Sequence, residues 1–183
     1  MKLFEVTALS MSPELQQYLK RLNISQSATL SPSGKLMVNG SVAIPRIDTS
    51  ISFPFESVSG DFSCGATSIA SLAGAPHTVG GTFSCSYTLI TSLEHAPHTV
   101  DGAFFFNGTS ITSLKGIHKT HRNWKIGREL YIPLNCADIV GLALIEGINT
   151  VCINGLRFST SDHDPHMFQE QLLDAGLKTA ARM

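Results

Sequence analysis

Residues 58–120 read VSGDFSCGATSIASLAGAPHT, VGGTFSCSYTLITSLEHAPHT and VDGAFFFNGTSITSLKGIHKT, three units of equal length that start at Val58, Val79 and Val100. At this fixed period Phe62, Phe83 and Phe104 recur, as do Cys64, Cys85 and Phe106, Thr67, Thr88 and Thr109, Ile69, Ile90 and Ile111, and Leu72, Leu93 and Leu114. Self-similarity at a fixed short period marks a solenoid, whose coils bury their apolar side only against their neighbours. Phe62 and Cys64 are separated by a single position, the period of a strand, so both point inward while Asp61, Ser63 and Gly65 point out. The later Thr, Ile and Leu abandon that period, so the chain turns away and returns over a column of like residues.

The flanks continue the pattern less regularly. Val42 and Ile44 precede Phe62 and Cys64 by one position less than the full period, which makes 36–57 a degenerate first coil, entered through a hairpin at Asn39-Gly40. Leu130 and Ile132 restore the strand pattern of Phe104 and Phe106, but five positions later than the period would place it, so an insertion interrupts the repeat near 118–128. Val151 and Ile153 follow Leu130 and Ile132 at the regular period again, and the apolar stretch 138–145 between them reads as a helix. Ser12-Pro13-Glu14 opens a helix with Leu15, Leu19 and Leu22 on one face, and Asp164-Pro165 opens another with Phe168, Leu172 and Ala175, stopped by Gly176. The fold class is therefore α/β: one solenoid domain with a parallel sheet of five to six strands and helical caps at both ends. Its parts are an N-terminal cap (1–35), the degenerate coil (36–57), three regular repeats (58–120), irregular coils with the insertion (121–158) and a C-terminal cap (159–183).

Composition agrees with one globular unit of 183 residues, 43% hydrophobic. Only 15% of residues are charged, against about 25% in an average domain, while Ser and Thr make up about a fifth of the chain. The net charge of −1 excludes a global electrostatic footprint for nucleic acid or anionic membrane. Residues 1–8 include Glu5 and no long apolar run, so they do not read as a secretory signal, and the expected compartment is the cytoplasm. The longest apolar run, 137–148, contains Asp138 and Glu146 and is too short to span a bilayer. Cys64, Cys85, Cys136 and Cys152 are accordingly expected to be reduced and buried.

The motif Phe-x-Cys/Phe-x-x-Thr-x-Ile-x-x-Leu resembles the strand-and-turn signature of leucine-rich repeats, L-x-L-x-x-N-x-L, with Thr67, Thr88 and Thr109 in place of the usual Asn ladder. GDFSC, GGTFSCSY and TSLEHAP resemble more closely the leucine-rich-repeat-like proteins encoded by tailed bacteriophages, over about residues 36–120. The resemblance implies a short solenoid of phage origin, acting in the bacterial host on a host factor or defence component. With Thr at the ladder, hydrogen bonds to the neighbouring coil's backbone are left to a hydroxyl, which has fewer donors and acceptors than an amide.

The sequence contains no nucleotide-binding glycine loop, HExxH, CxxC or nucleophile elbow, and neither an enzymatic activity nor a cofactor is expected. His77 and His98 share a repeat position and stack at strand spacing; they read as part of a solvent-facing Pro-His-Thr turn, and His163, Asp164 and His166 as the lead-in to a helix, so no metal site is assigned. Asp61 and Glu129 lie on strands that are not adjacent and do not form a catalytic pair. The outward strand rows read Ser63, Ser84, Phe105 and Tyr131; Gly65, Ser86, Asn107 and Pro133; and Asp61, Thr82, Ala103 and Glu129. Phe105 and Tyr131, side by side among small polar residues, have the composition of a protein-binding hot spot, with Asn107, Asp61 and Glu129 around them. No Lys or Arg occurs between Arg46 and Lys115; then Lys115, Lys119, Arg122, Lys125 and Arg128 arrive together with Trp124. The leading expectation is a non-catalytic protein-interaction module. The alternative is a binder of nucleic acid or an anionic small molecule through this basic loop.

Overall fold

The computed structural model describes residues 11–182, so the reading of residues 1–8 lies outside the described residues. Each regular unit forms one coil of a β-solenoid, and the strand expected at Phe62, Phe83 and Phe104 is present in all three. These strands, Phe62–Ser63, Phe83–Ser84 and Phe104–Phe105, pair in parallel and in register with Val42–Ala43 on one side and with Glu129–Ile132 and Thr150–Ile153 on the other. Six parallel strands result, closed by the antiparallel strand Leu156–Ser159.

The chain also builds a second parallel sheet. Phe55–Val58, Thr78–Val79, Thr99–Val100 and Lys125–Ile126 stack in parallel beside Leu36–Val38, which pairs in turn with the antiparallel edge strand Ala28–Leu30. The Val that opens each unit is the inward residue of this sheet, and Val58, Val79 and Val100 are all at most 1% exposed. Pro-His-Thr therefore leads directly into a strand and is not itself the turn. The turn is the short corner that follows, where the glycines bond along the solenoid axis: Gly60 N–H donates to Gly40 O at 2.9 Å, Gly81 to Gly60 at 3.0 Å and Gly102 to Gly81 at 2.9 Å. A Cβ on Gly102 would stand 2.7 Å from Gly81 O and 2.8 Å from its carbonyl carbon, so only glycine permits this approach of backbone to backbone.

Between the sheets lies a core of stacked identical residues. Phe62, Phe83 and Phe104 form one ladder, with ring centroids 5.6 and 4.9 Å apart, and Ile69, Ile90 and Leu72 are almost completely enclosed. The threonine column behaves differently from expectation. Thr67 and Thr88 donate their hydroxyls to Cys64 O and Cys85 O, both at 2.7 Å, and so brace the bend of their own coil. Reach decides this: a hydroxyl on a β-branched stem closes a short local loop, whereas the neighbouring coil is served by backbone groups such as Ala66 N–H to Ser86 O. Thr109 Oγ1 is buried with no partner among the described residues.

Asn39-Gly40 is not a hairpin but the first corner, since the strands on either side of it belong to different sheets. The hairpin of this region joins Ala28–Leu30 to Leu36–Val38, with Gly34 at φ 78°. A register shift at Leu36/Met37 marks the irregular start of the first coil, after which Val38 pairs with Val58 and Val42 with Phe62. The insertion lies between Leu114 and Lys125 and holds a single helical turn, α2 (Ile117–Thr120). The segment 138–145 forms a 3-10 turn, Val140–Leu144, narrower than the helix expected, because its Val140, Leu142 and Ala143 are buried within a coil.

Both caps are helical as expected. α1 (Pro13–Arg21) is N-capped by Ser12, whose hydroxyl accepts from Leu15 N–H, and is pinned to the first coil by the Arg21–Asp48 ion pair at 2.8 Å. α3 (Pro165–Asp174) is N-capped by Asp164, seals Phe168 and Leu172 against the last coil and ends at Gly176, φ 77°. Ala175 is the exposed C-cap of α3 and adds nothing to that face.

Because one coil supports the next, damage at a central position should unsettle the whole stack. Ile90→Ala should lower unfolding stability by about 2–5 kcal/mol, and Gly102→Ala by about 1–3 kcal/mol through forced separation of backbones. Urea titration followed by circular dichroism measures both. The prediction for the corner fails if Gly102→Ala unfolds at the wild-type denaturant midpoint.

Candidate functional site

Pairing fixes which outward residues stand beside one another. One row runs Ala43, Ser63, Ser84, Phe105, Tyr131, Cys152 and Arg157, each the direct partner of the next. Phe105 and Tyr131 stack face to face, with centroids 4.2 Å apart and planes 18° from parallel. Both are half-buried, and they open on a cleft of about 570 Å³ at the carboxyl ends of the strands. Asn107 belongs to the same cleft, its side-chain oxygen accepting from Ser86 Oγ at 2.8 Å. This volume lies inside the range of small-ligand and anchor pockets, about 300–1,000 Å³.

The two remaining residues of the expected face are engaged elsewhere. Asp61 accepts the Thr82 backbone N–H at 2.7 Å and so supports a corner, two coils from Phe105. Glu129 lies at the start of the Tyr131 strand and pairs with Arg157 at 3.1 Å. Phe105, Tyr131 and Asn107 thus share one cleft, and Asp61 and Glu129 do not line it. Sequence reasoning missed Tyr87, Leu134 and Asn154 in the cleft wall. Tyr87 is 67% exposed at φ 57°, held where the ring passes over Gly108, and any Cβ on Gly108 would collide with that ring. Asn154 and Gly155 carried a readable signal, since Asn-Gly between alternating apolar residues specifies the tight hairpin that returns Arg157 to this face.

The insertion leaves the face open. Trp124 is 1% exposed and packs edge-on against Phe104, centroids 5.6 Å apart, on the inner side of the coil. It therefore offers no ring on which a base could stack. None of Lys119, Arg122, Lys125 and Arg128 lines the aromatic cleft, and Lys125 extends the other sheet beside Thr99.

His77 and His98 stack as expected, centroids 4.6 Å apart, beside His121 in a second cleft of about 550 Å³. Stacked rings aim their in-plane lone pairs along parallel lines and not at a common point. Among the described residues no group of three or more His, Cys, Asp or Glu side chains is arranged to hold a metal. Asp164 is occupied by His166 N–H at 2.8 Å, the capping role expected of it. All four cysteines are buried and unpaired; burial pushes the Cys64 and Cys136 thiols up to about 12 and Cys85 well above its ordinary value. No helix among the described residues is long and apolar enough to cross a membrane. Comparison with protein-family models, curated proteins and solved structures found no match to this chain.

Two outcomes follow from these environments. A thiol held protonated inside the core reacts slowly, so an aromatic disulfide reagent at neutral pH should label the native protein far more slowly than the urea-unfolded chain; rapid labelling of Cys64 and Cys85 in the native state would contradict their place in the core. His121 ties the insertion to the second regular coil through Leu93 O at 3.1 Å, and burial, with a further contribution from His98, lowers its pKa. The folded state then binds fewer protons than the unfolded one, so this contribution is complete above the unfolded value of about 6.5 and is lost as pH falls below it. Thermal midpoints should drop between about pH 7.5 and 5.5, and drop less in His121→Gln.

Proposed function

We propose that this protein is a non-catalytic protein-interaction module that uses the aromatic cleft of the solenoid to occupy a surface of a partner protein. The observation that carries this reading is the stacked Phe105–Tyr131 pair, half-buried at the centre of a row whose other members are mostly Ala, Ser and Cys. A rigid aromatic wall beside a shallow trough of small side chains suits insertion of an apolar or planar anchor, with little conformational entropy to lose on the solenoid side. Asn107, Asn135 and Asn154 supply a polar surround of the kind that borders such an anchor. The resemblance of residues 36–120 to phage leucine-rich-repeat-like proteins supports a bacterial host factor or defence component as that partner, with inhibition by occupancy as the mode of action.

Replacing Phe105 and Tyr131 together by Ala tests the reading. Proteins captured from a bacterial lysate by the wild type should be lost or reduced at least about tenfold with the double variant, as expected for a central hot spot, while circular dichroism shows the solenoid intact. Lys119→Ala with Arg122→Ala should capture as the wild type does. Undiminished capture by the folded aromatic variant overturns the assignment.

A further inference from the structure

A separate cavity of about 280 Å³ lies where the insertion, the 3-10 turn and the start of α3 meet. Its apolar wall comes from Val140, Leu144 and Pro165, and Lys115 and Arg182 reach it from opposite ends of the sequence. Among the described residues neither cation forms an ion pair. The acid present, Asp138, already accepts from Ser113 Oγ at 2.7 Å. The exposed Lys115 and Arg182, set against one carboxylate and beside His118 and His166, leave an excess of positive charge at a mostly apolar space. His118 lines the same cavity with Nδ1 buried and without a partner among the described residues; a Cβ on Gly141 would stand 2.8 Å from that nitrogen.

We infer that this cavity is a binding site for a small amphipathic monoanion, a carboxylate with a short apolar body, whose head group meets Lys115 and Arg182 while its body lies on Val140 and Leu144. A neutral apolar guest would make no use of the two cations at the mouth of the cavity, and a bare polyanion would leave the apolar wall uncovered and exceed the local charge. The volume falls just below the usual range of ligand pockets, about 300–1,000 Å³, which limits the guest to a short chain or single ring. Of the five cations clustered at 115–128, Lys115 alone lines this cavity, so the site narrows the basic loop to one contributor and adds Arg182 from the C-terminal cap.

Hexanoate is the probe, with hexanamide as its uncharged counterpart and inorganic phosphate as the anion without an apolar body. Hexanoate should raise the thermal midpoint saturably and perturb the amide resonances of Val140 and Leu144, whereas hexanamide and phosphate should do neither. Lys115→Met with Arg182→Met should weaken hexanoate at least about tenfold, the effect of losing charge-assisted contacts. Leu144→Trp, placed at a residue 48% exposed on the rim, should block binding with both cations in place. The inference is overturned if hexanoate leaves the wild type unperturbed at millimolar concentration, if hexanamide binds equally well, or if the two-cation variant binds as the wild type does.

Discussion

The backbone contact between successive corner glycines governs the rest of the molecule. Gly40, Gly60, Gly81 and Gly102 donate and accept along the axis at 2.9–3.0 Å, and the same contact passes to Arg128, whose N–H bonds Gly102 O at 3.2 Å. Coils must approach to parallel-strand distance at this corner before either sheet can form its ladder on the two sides of it. Like residues then meet like residues inside, so Phe stacks on Phe and Val on Val. Each column is uniform because the period is uniform, and the strands remain very short because the neighbouring coils, not strand length, satisfy their hydrogen bonds.

This regularity gives the aromatic cleft its rigidity. Phe105 and Tyr131 project from strands locked on both sides by in-register neighbours, and Phe104, next to Phe105, is clamped from within by Phe83, Phe106 and Trp124. The irregular part of the chain is used differently. The inserted segment pulls Trp124 inward, carries His121 back to Leu93 and places Lys115 near the C-terminal cap. Position in the coil thus separates an aromatic cleft lined by uncharged residues from a smaller cavity lined in part by charged ones.

Much of the fold was legible because a strict period needs only repeated side chains to reveal it. The strands at Phe62, Phe83 and Phe104 and the place of the insertion follow from spacing, and both caps from their Ser12-Pro13 and Asp164-Pro165 starts. The second sheet did not, because Thr78–Val79 and Thr99–Val100 are too short for alternation to show and are bounded by glycine or aspartate that reads as turn. The Val recurring at 58, 79 and 100 was the available sign of it. At the site, the row containing Phe105 and Tyr131 could be derived from strand parity. The engagement of Asp61 by Thr82 N–H and of Glu129 by Arg157 could not, since both depend on how corners and a terminal hairpin close in three dimensions.

The antiparallel strands at the two ends have a consequence for how such a chain can change. Ala28–Leu30 and Leu156–Ser159 reverse direction against the outermost parallel strands, so each terminus is finished independently of how many coils lie between them. A duplication or deletion of one whole unit within 58–120 would move the ends apart or together by one strand spacing, about 4.8 Å, and leave every end contact intact. The molecule is in this sense a ruler with fixed ends and an adjustable number of divisions, and unequal recombination between its own repeats is a route by which the length of its strand faces could be reset without redesigning the fold.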